Sequence, residues 1–133
     1  MSEEMRDIVL RVSGKDLDVD ALLARHPHVE AFNVFRLGEA GRKGKPNVES
    51  GFMVELGSGE AAVMQLLSRC KHMDAMFSEL RTCGAWMMIH AGLTVSRARP
   101  MHSLSFRPDE IATFAGIGVS LRFSAYAASD DDG

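Results

Sequence analysis

Between Ile8 and Tyr126 the chain switches repeatedly between two hydrophobic periods, and these switches narrow its fold more than any other feature. Apolar residues two apart share one side of a strand, whereas apolar residues three and four apart share one side of a helix. The clearest period-two stretch is Val48, Ser50, Phe52, Val54 and Leu56, alternating with Glu49, Gly51, Met53 and Glu55. The clearest helical stretch carries Ala62, Val63, Leu66, Leu67 and Cys70. Elements this short cannot each bury an apolar side alone, so several must share one core.

The first expected strand covers residues 7–13, with Ile8, Leu10 and Val12 on one side. Gly14 and Lys15 turn the chain, and the Asp18 carboxylate is placed to accept first-turn amides of a helix from Val19 to Arg25. Pro27 ends that helix and keeps His26 out of the helical region, so His26, Pro27 and His28 form a turn. Residues 31–37 read as a second strand, and residues 38–47, with three glycines, Pro46, Arg42, Lys43 and Lys45, as a flexible loop projecting into solvent. Gly57, Ser58 and Gly59 are expected to end the period-two strand, with Ser58 capping the helix that follows. The helical pattern continues through Met73, Met76, Phe77 and Leu80 with a break near His72, and Gly84 is a suitable left-handed terminator.

Residues 85–95 are apolar on both sides, with Trp86, Met88 and His90 on one and Met87, Ile89, Ala91, Leu93 and Val95 on the other. That pattern predicts a central strand covered on both sides, or covered on one side and partnered on the other. Residues 96–100 form a second basic turn, with Arg97 and Arg99, and residues 101–106 predict an edge strand. Pro108, Asp109 and Glu110 open a helix whose buried side is expected to be Ile111, Phe114 and Ala115, and Gly116 and Gly118 end it. A last strand follows, with Val119, Leu121, Phe123 and Ala125 alternating with Ser120, Arg122, Ser124 and Tyr126.

The expected fold class is therefore α+β: a single domain over residues 5–127, with a mostly antiparallel sheet of about five strands and three to four helices packed against it. Residues 128–133 make an acidic tail expected to be frayed. A net charge of −3 provides no cationic footprint for nucleic acid. No apolar run approaches the ~20 residues of a membrane-spanning helix, and two cysteines without a recognisable leader point to the cytoplasm.

Residues 10–23 (LRVSGKDLDVDALL) and residues 111–126 (IATFAGIGVSLRFSAY) resemble a bacterial family, domain-of-unknown-function family 4279. The first stretch is similar to that family's strand, Gly-x-Asp-Leu-Asp turn and helix, and the second to its last helix, small-residue turn and final strand closing on tyrosine. Phe52 stands where the family has tryptophan, and Ser124 where it has an acidic residue before the tyrosine. The resemblance implies a fold and no activity, since the family offers no catalytic residues to carry over.

Several constellations were weighed for chemistry. Cys70, His72, Cys83 and His90 are ligand types that zinc favours, but their spacing does not bring paired ligands onto tight turns, so no metal site is assigned. His26 and His28 flank a proline with no carboxylate nearby in sequence, and read as two solvated imidazoles. The glycines at 38, 41 and 44 do not have P-loop spacing, and no nucleophile elbow surrounds Ser50. No cofactor is expected.

What remains are surfaces. Arg42, Lys43 and Lys45, joined in space by Arg97 and Arg99, would make a docking patch for an acidic partner, and Trp86 would anchor an interface on an exposed side of its strand. The leading expectation is a non-catalytic protein-interaction module, in its specific form an immunity-type protein that neutralises a partner toxin. The alternatives are a ligand-binding or enzymatic domain with a sheet–helix pocket lined by Trp86, Met88, His90 and Phe52, and a homodimer joined through the sheet.

Overall fold

The computed structural model describes residues 6–98, 100–101 and 103–127. Its elements are β1 (Arg6–Gly14), α1 (Val19–Arg25), β2 (Ala31–Phe35), β3 (Ser50–Ser58), α2 (Ala62–His72), α3 (Asp74–Thr82), β4 (Trp86–Val95), α4 (Pro108–Ile117) and β5 (Ser120–Ala127). The strands make one sheet in the order β2-β3-β1-β4-β5. Neighbours are antiparallel except β4 and β5, which run parallel because the chain crosses over through α4 before returning. This is the expected α+β class, with a mostly antiparallel sheet.

Register decides which side chains meet. Leu10 pairs with Val54 on one side and Ile89 on the other, and Val12 with Phe52 and Met87, so the alternating apolar sets of three strands fall on one face. Leu56 is an extra residue in β3, since Ile8 pairs with Gly57 and Val9 with Glu55. Leu56 keeps the alternation set by Phe52 and Val54 and is fully buried. Over this face close Val19 and Leu22 of α1, Leu66 and Cys70 of α2, Met76, Phe77 and Leu80 of α3, and Phe114 and Ile117 of α4. Each large apolar side chain so buried contributes roughly 1.5–3 kcal/mol relative to exposure. Asp18 caps α1 as expected, its carboxylate accepting the Ala21 amide at 3.1 Å.

Three expectations are corrected. β3 ends at Ser58, within the expected Gly57-Ser58-Gly59 break, but α2 is entered from Ala61 with no side-chain cap. The Ser58 amide instead donates to Gln65 Oε1 at 2.9 Å. Gly57 serves close approach: a Cβ there would lie 2.4 Å from the Ala62 carbonyl oxygen. Residues 101–106 form no strand among the described positions; the place beside β4 belongs to β5, and Phe106 packs edge-on against Phe114, centroids 5.5 Å apart. On α4, Ile111 and Ala115 are exposed, and Ile117 shares the buried side with Phe114.

The loop after β2 projects into solvent between two strands as expected, and it is a hydrogen-bonded hairpin. Gly38 and Asn47 join at 2.8 Å, Gly41 donates to the Lys45 carbonyl at 2.7 Å, and Asn47 Nδ2 holds the Arg36 carbonyl at 3.0 Å. Lys43 adopts a left-handed φ of 57° within a 3-10 turn. The break between α2 and α3 falls at Met73, close to where it was expected. Residues 128–133, the expected acidic tail, lie outside the described residues.

Candidate functional site

All four helices lie on one face of the sheet, which leaves the other free of any layer among the described residues. The alternation that buries Met87, Ile89 and Ala91 necessarily turns Trp86, Met88 and His90 to that free face. Beside them in register stand Arg11 on β1, and Arg122, Ser124 and Tyr126 on β5. Phe32 on β2, opposite Met53, extends the row toward the other rim. Trp86 is 48% exposed, Tyr126 53% and Phe32 41%, while Met88, at 7%, is covered although it stands outside the core cluster. Gly51 lets Phe35 lie flat here, for a Cβ at Gly51 would come within 2.4 Å of that ring.

This arrangement corrects the expected sheet–helix pocket. Phe52 points into the core, whereas Trp86, Met88 and His90 point the other way, so the sheet itself separates them. The free face holds instead a shallow hollow of about 190 Å³ lined by Asp7, Val9, Arg11, His90, Gly92, Thr94 and Tyr126. Beside it the His90 ring nitrogen Nε2 and the Ser124 hydroxyl are hydrogen-bonded at 2.8 Å. Partial burial, then the charges of Arg11 and Arg122, hold the His90 imidazole below its ordinary pKa, which favours the neutral ring. A larger cleft of about 460 Å³ lies at the β2–β3 side, lined among others by His28, Glu30, Arg69, His72 and Met73. Arg69 does not point freely into it, because its Nη1 donates to the Glu55 carbonyl at 2.6 Å.

The basic residues do not form one patch. The hairpin bearing Arg42, Lys43 and Lys45 enters β3 at Ser50, which pairs with Gly14 at the end of β1. Arg97 follows β4, whose last residues pair with the start of β1. The two groups therefore sit at opposite ends of the sheet, roughly 25–30 Å apart along a strand of nine residues. Arg99 lies outside the described residues. Trp86, by contrast, stands where it was expected, on an uncovered side of its strand.

Of the two histidines of the His26-Pro27-His28 turn, only His28 is exposed as expected. His26 is buried, and its Nε2–H donates to a Glu79 carboxylate oxygen, while the other oxygen of Glu79 accepts from Arg25 Nε at 2.7 Å. His28 donates to the His72 carbonyl at 3.2 Å, completing the end of α2. These bonds tie the turn after α1 to both α2 and α3. Hydrogen bonds from His26 and then Arg25 hold the Glu79 carboxyl below its ordinary pKa. The sequence reading missed Glu79 because it looked for a carboxylate close to His26 in the chain, and this one is 53 residues away.

The zinc-type side chains are dispersed. Cys70 is buried in the core, where desolvation pushes its thiol up to about 12. Cys83 Sγ donates to the Leu80 carbonyl at 3.4 Å, and His90 lies across the sheet from both cysteines. Among the described residues no three His, Cys, Asp or Glu side chains are grouped to hold a metal ion, and no helix is long and apolar enough to cross a membrane. No family model matches the chain, and neither a curated protein nor a solved structure matches it.

Proposed function

We propose that this chain is a protein-interaction module that docks its partner on the free face of the sheet. The observation that carries the reading is a sheet with helices on one side only, whose other side presents Trp86, Tyr126 and Phe32 partly exposed, on the same face as Arg11 and Arg122. Trp, Tyr and Arg are the side chains most enriched at the energetic centres of interfaces, and lysine, which interfaces disfavour, is missing from every strand. A fitting partner presents an apolar patch for Trp86 and a carboxylate for Arg11 and Arg122. In its sharpest form the module is an immunity-type protein that neutralises a toxin by covering its working surface. Small size and a broad face supported by a separate core favour that form. The resemblance of residues 10–23 and 111–126 to family 4279 implies no activity.

The test compares immobilised wild-type chain with Trp86→Ala in extract from the native host, followed by titration of any protein that only the wild type retains. Loss of a central aromatic anchor costs at least about 2 kcal/mol, roughly a thirtyfold weaker Kd. A partner bound equally by both chains would show that this face is not the dock. For the immunity form, the purified partner must also lose its activity on binding.

A second reading, a hydrolytic or ligand-binding site, is favoured by one contact, that of the Ser124 hydroxyl with a neutral His90. In that role His90 Nε2 takes the Ser124 proton as the oxygen attacks an acyl or phosphoryl centre, and the bond to the leaving group breaks as His90 hands that group the proton. Labelling by a fluorophosphonate at Ser124, abolished by His90→Ala, supports it; an unlabelled Ser124 removes it.

A further inference from the structure

We propose that β5 is a self-pairing edge, through which two copies of this chain join their sheets about a two-fold axis. The two rims of the sheet are built differently. β2 has five residues, its register with β3 shifts between Phe32 and Phe35, and Asn33 takes a left-handed φ of 51°. Short length, a bulge and a kinked backbone are the ordinary protections of a sheet edge against another strand. β5 has none of them. Its eight residues pair with β4 in unbroken register from Met88–Ser120 to Val95–Ala127, without proline or glycine, and Arg122 is its single charge. An edge strand presents an outward row of unpaired N–H and C=O groups. On the helix side of that row stand Leu121, 36% exposed, and Phe123, 51% exposed.

The occupant that fits is a second copy. Continuing the sheet across a two-fold axis requires antiparallel pairing in which residues of the same face oppose one another. With the axis on Phe123, Phe123 meets its counterpart, Leu121 meets Ala125, Ser120 meets Tyr126, and Arg122 meets Ser124. Apolar side chains then face apolar ones on the helix side, and the charge of each strand faces a hydroxyl. Shifting the axis to Arg122 would set two guanidinium groups directly opposite, a destabilising pair, so the charge pattern disfavours that register. Phe106, with its ring centroid 6.4 Å from that of Phe123, lengthens the apolar row on each side of the axis. Trp86 lies on the other face at the start of β4, so this pairing leaves the proposed dock open and does not depend on it.

Sedimentation velocity of the full chain, from low to high micromolar concentration, is expected to show a monomer–dimer equilibrium. Phe123→Lys, at a half-exposed position that a lysine can occupy in the folded monomer, brings two ammonium groups together at the axis. Self-association is then expected to weaken about a hundredfold, since like-charge juxtaposition across an interface costs several kcal/mol. Trp86→Ala is expected to leave association unchanged. Phe123→Cys is expected to yield a disulfide-linked dimer on mild oxidation, because opposed Cβ atoms lie about 4.5–5.5 Å apart, within a small shift of disulfide reach. A chain that stays monomeric throughout, a dimer indifferent to Phe123→Lys, or a Phe123→Cys chain that fails to cross-link overturns the proposal.

Discussion

Replacing Gly57 by alanine tests whether close approach of backbone to backbone, rather than turn formation, is why glycine stands there. The added Cβ would lie 2.4 Å from the Ala62 carbonyl oxygen and 3.1 Å from its carbonyl carbon, against an ordinary contact that begins at 3.4 Å. The shortfall, 3.4 − 2.4 = 1.0 Å, falls on main chain, so no side chain can rotate away to relieve it. Either β3 or the first turn of α2 must move, and α2 carries Ala62, Leu66 and Cys70 into the core. Overpacking of this kind costs typically about 1–3 kcal/mol, and a rigid obstacle puts Gly57→Ala near the top of that range. For a chain of this length, about 3 kcal/mol corresponds to a fall in Tm of roughly 10 °C. Gly116→Ala is the matched control: it lies inside α4 with nothing within 4 Å of the new Cβ and no left-handed φ. It should stabilise by about 0.5–1 kcal/mol, since alanine loses less backbone entropy than glycine in a helix. Thermal melts followed by circular dichroism, with urea titrations to compare m-values, give both signs in one series. A Gly57→Ala chain as stable as wild type would refute the argument.

Three further outcomes follow from the described contacts. An aromatic disulfide reagent at mildly alkaline pH is expected to titrate Cys83 quickly and Cys70 only after unfolding, because burial pushes the Cys70 thiol up to about 12; two equally fast thiols would contradict this. Glu79→Ala should lower the urea midpoint more than Asp20→Ala, although both carboxylates pair with an arginine, because Glu79 also accepts from buried His26; equal shifts would place no weight on the histidine. His90, depressed below its usual 6.5, binds fewer protons folded than unfolded, so its share of stability is complete above that value and declines as pH drops toward the folded pKa. Urea midpoints at about pH 7.5 and about pH 5.5 should therefore differ more in wild type than in His90→Gln, and an unchanged difference would remove His90 from the pH response.

The elements with a clean period were legible in advance. Ile8, Leu10 and Val12, the Asp18 cap, and the paired helices divided near His72 all follow from side-chain direction and capping chemistry within a few residues. Positions whose role lies across the chain were misread. Gly57 read only as part of a strand end because its neighbour Ala62 arrives only once α2 folds back over β3. Residues 101–106 looked like an edge strand because nothing local says that β5 will take the place beside β4. Of the candidate site, Trp86 and the two-sided character of β4 were visible as alternation, whereas the contact of His90 with Ser124 spans 34 residues and needed the parallel register to appear.

The amino-acid order by itself determined which side chains share a face and where most helices begin, since those depend on backbone geometry over a turn or two. Tertiary structure alone decided that the helices gather on one face, that the two basic segments part to opposite ends, and that β5 becomes a rim of the sheet. Strand order and register are outcomes of the whole core closing at once, and a one-residue slip would exchange the buried face for the free one.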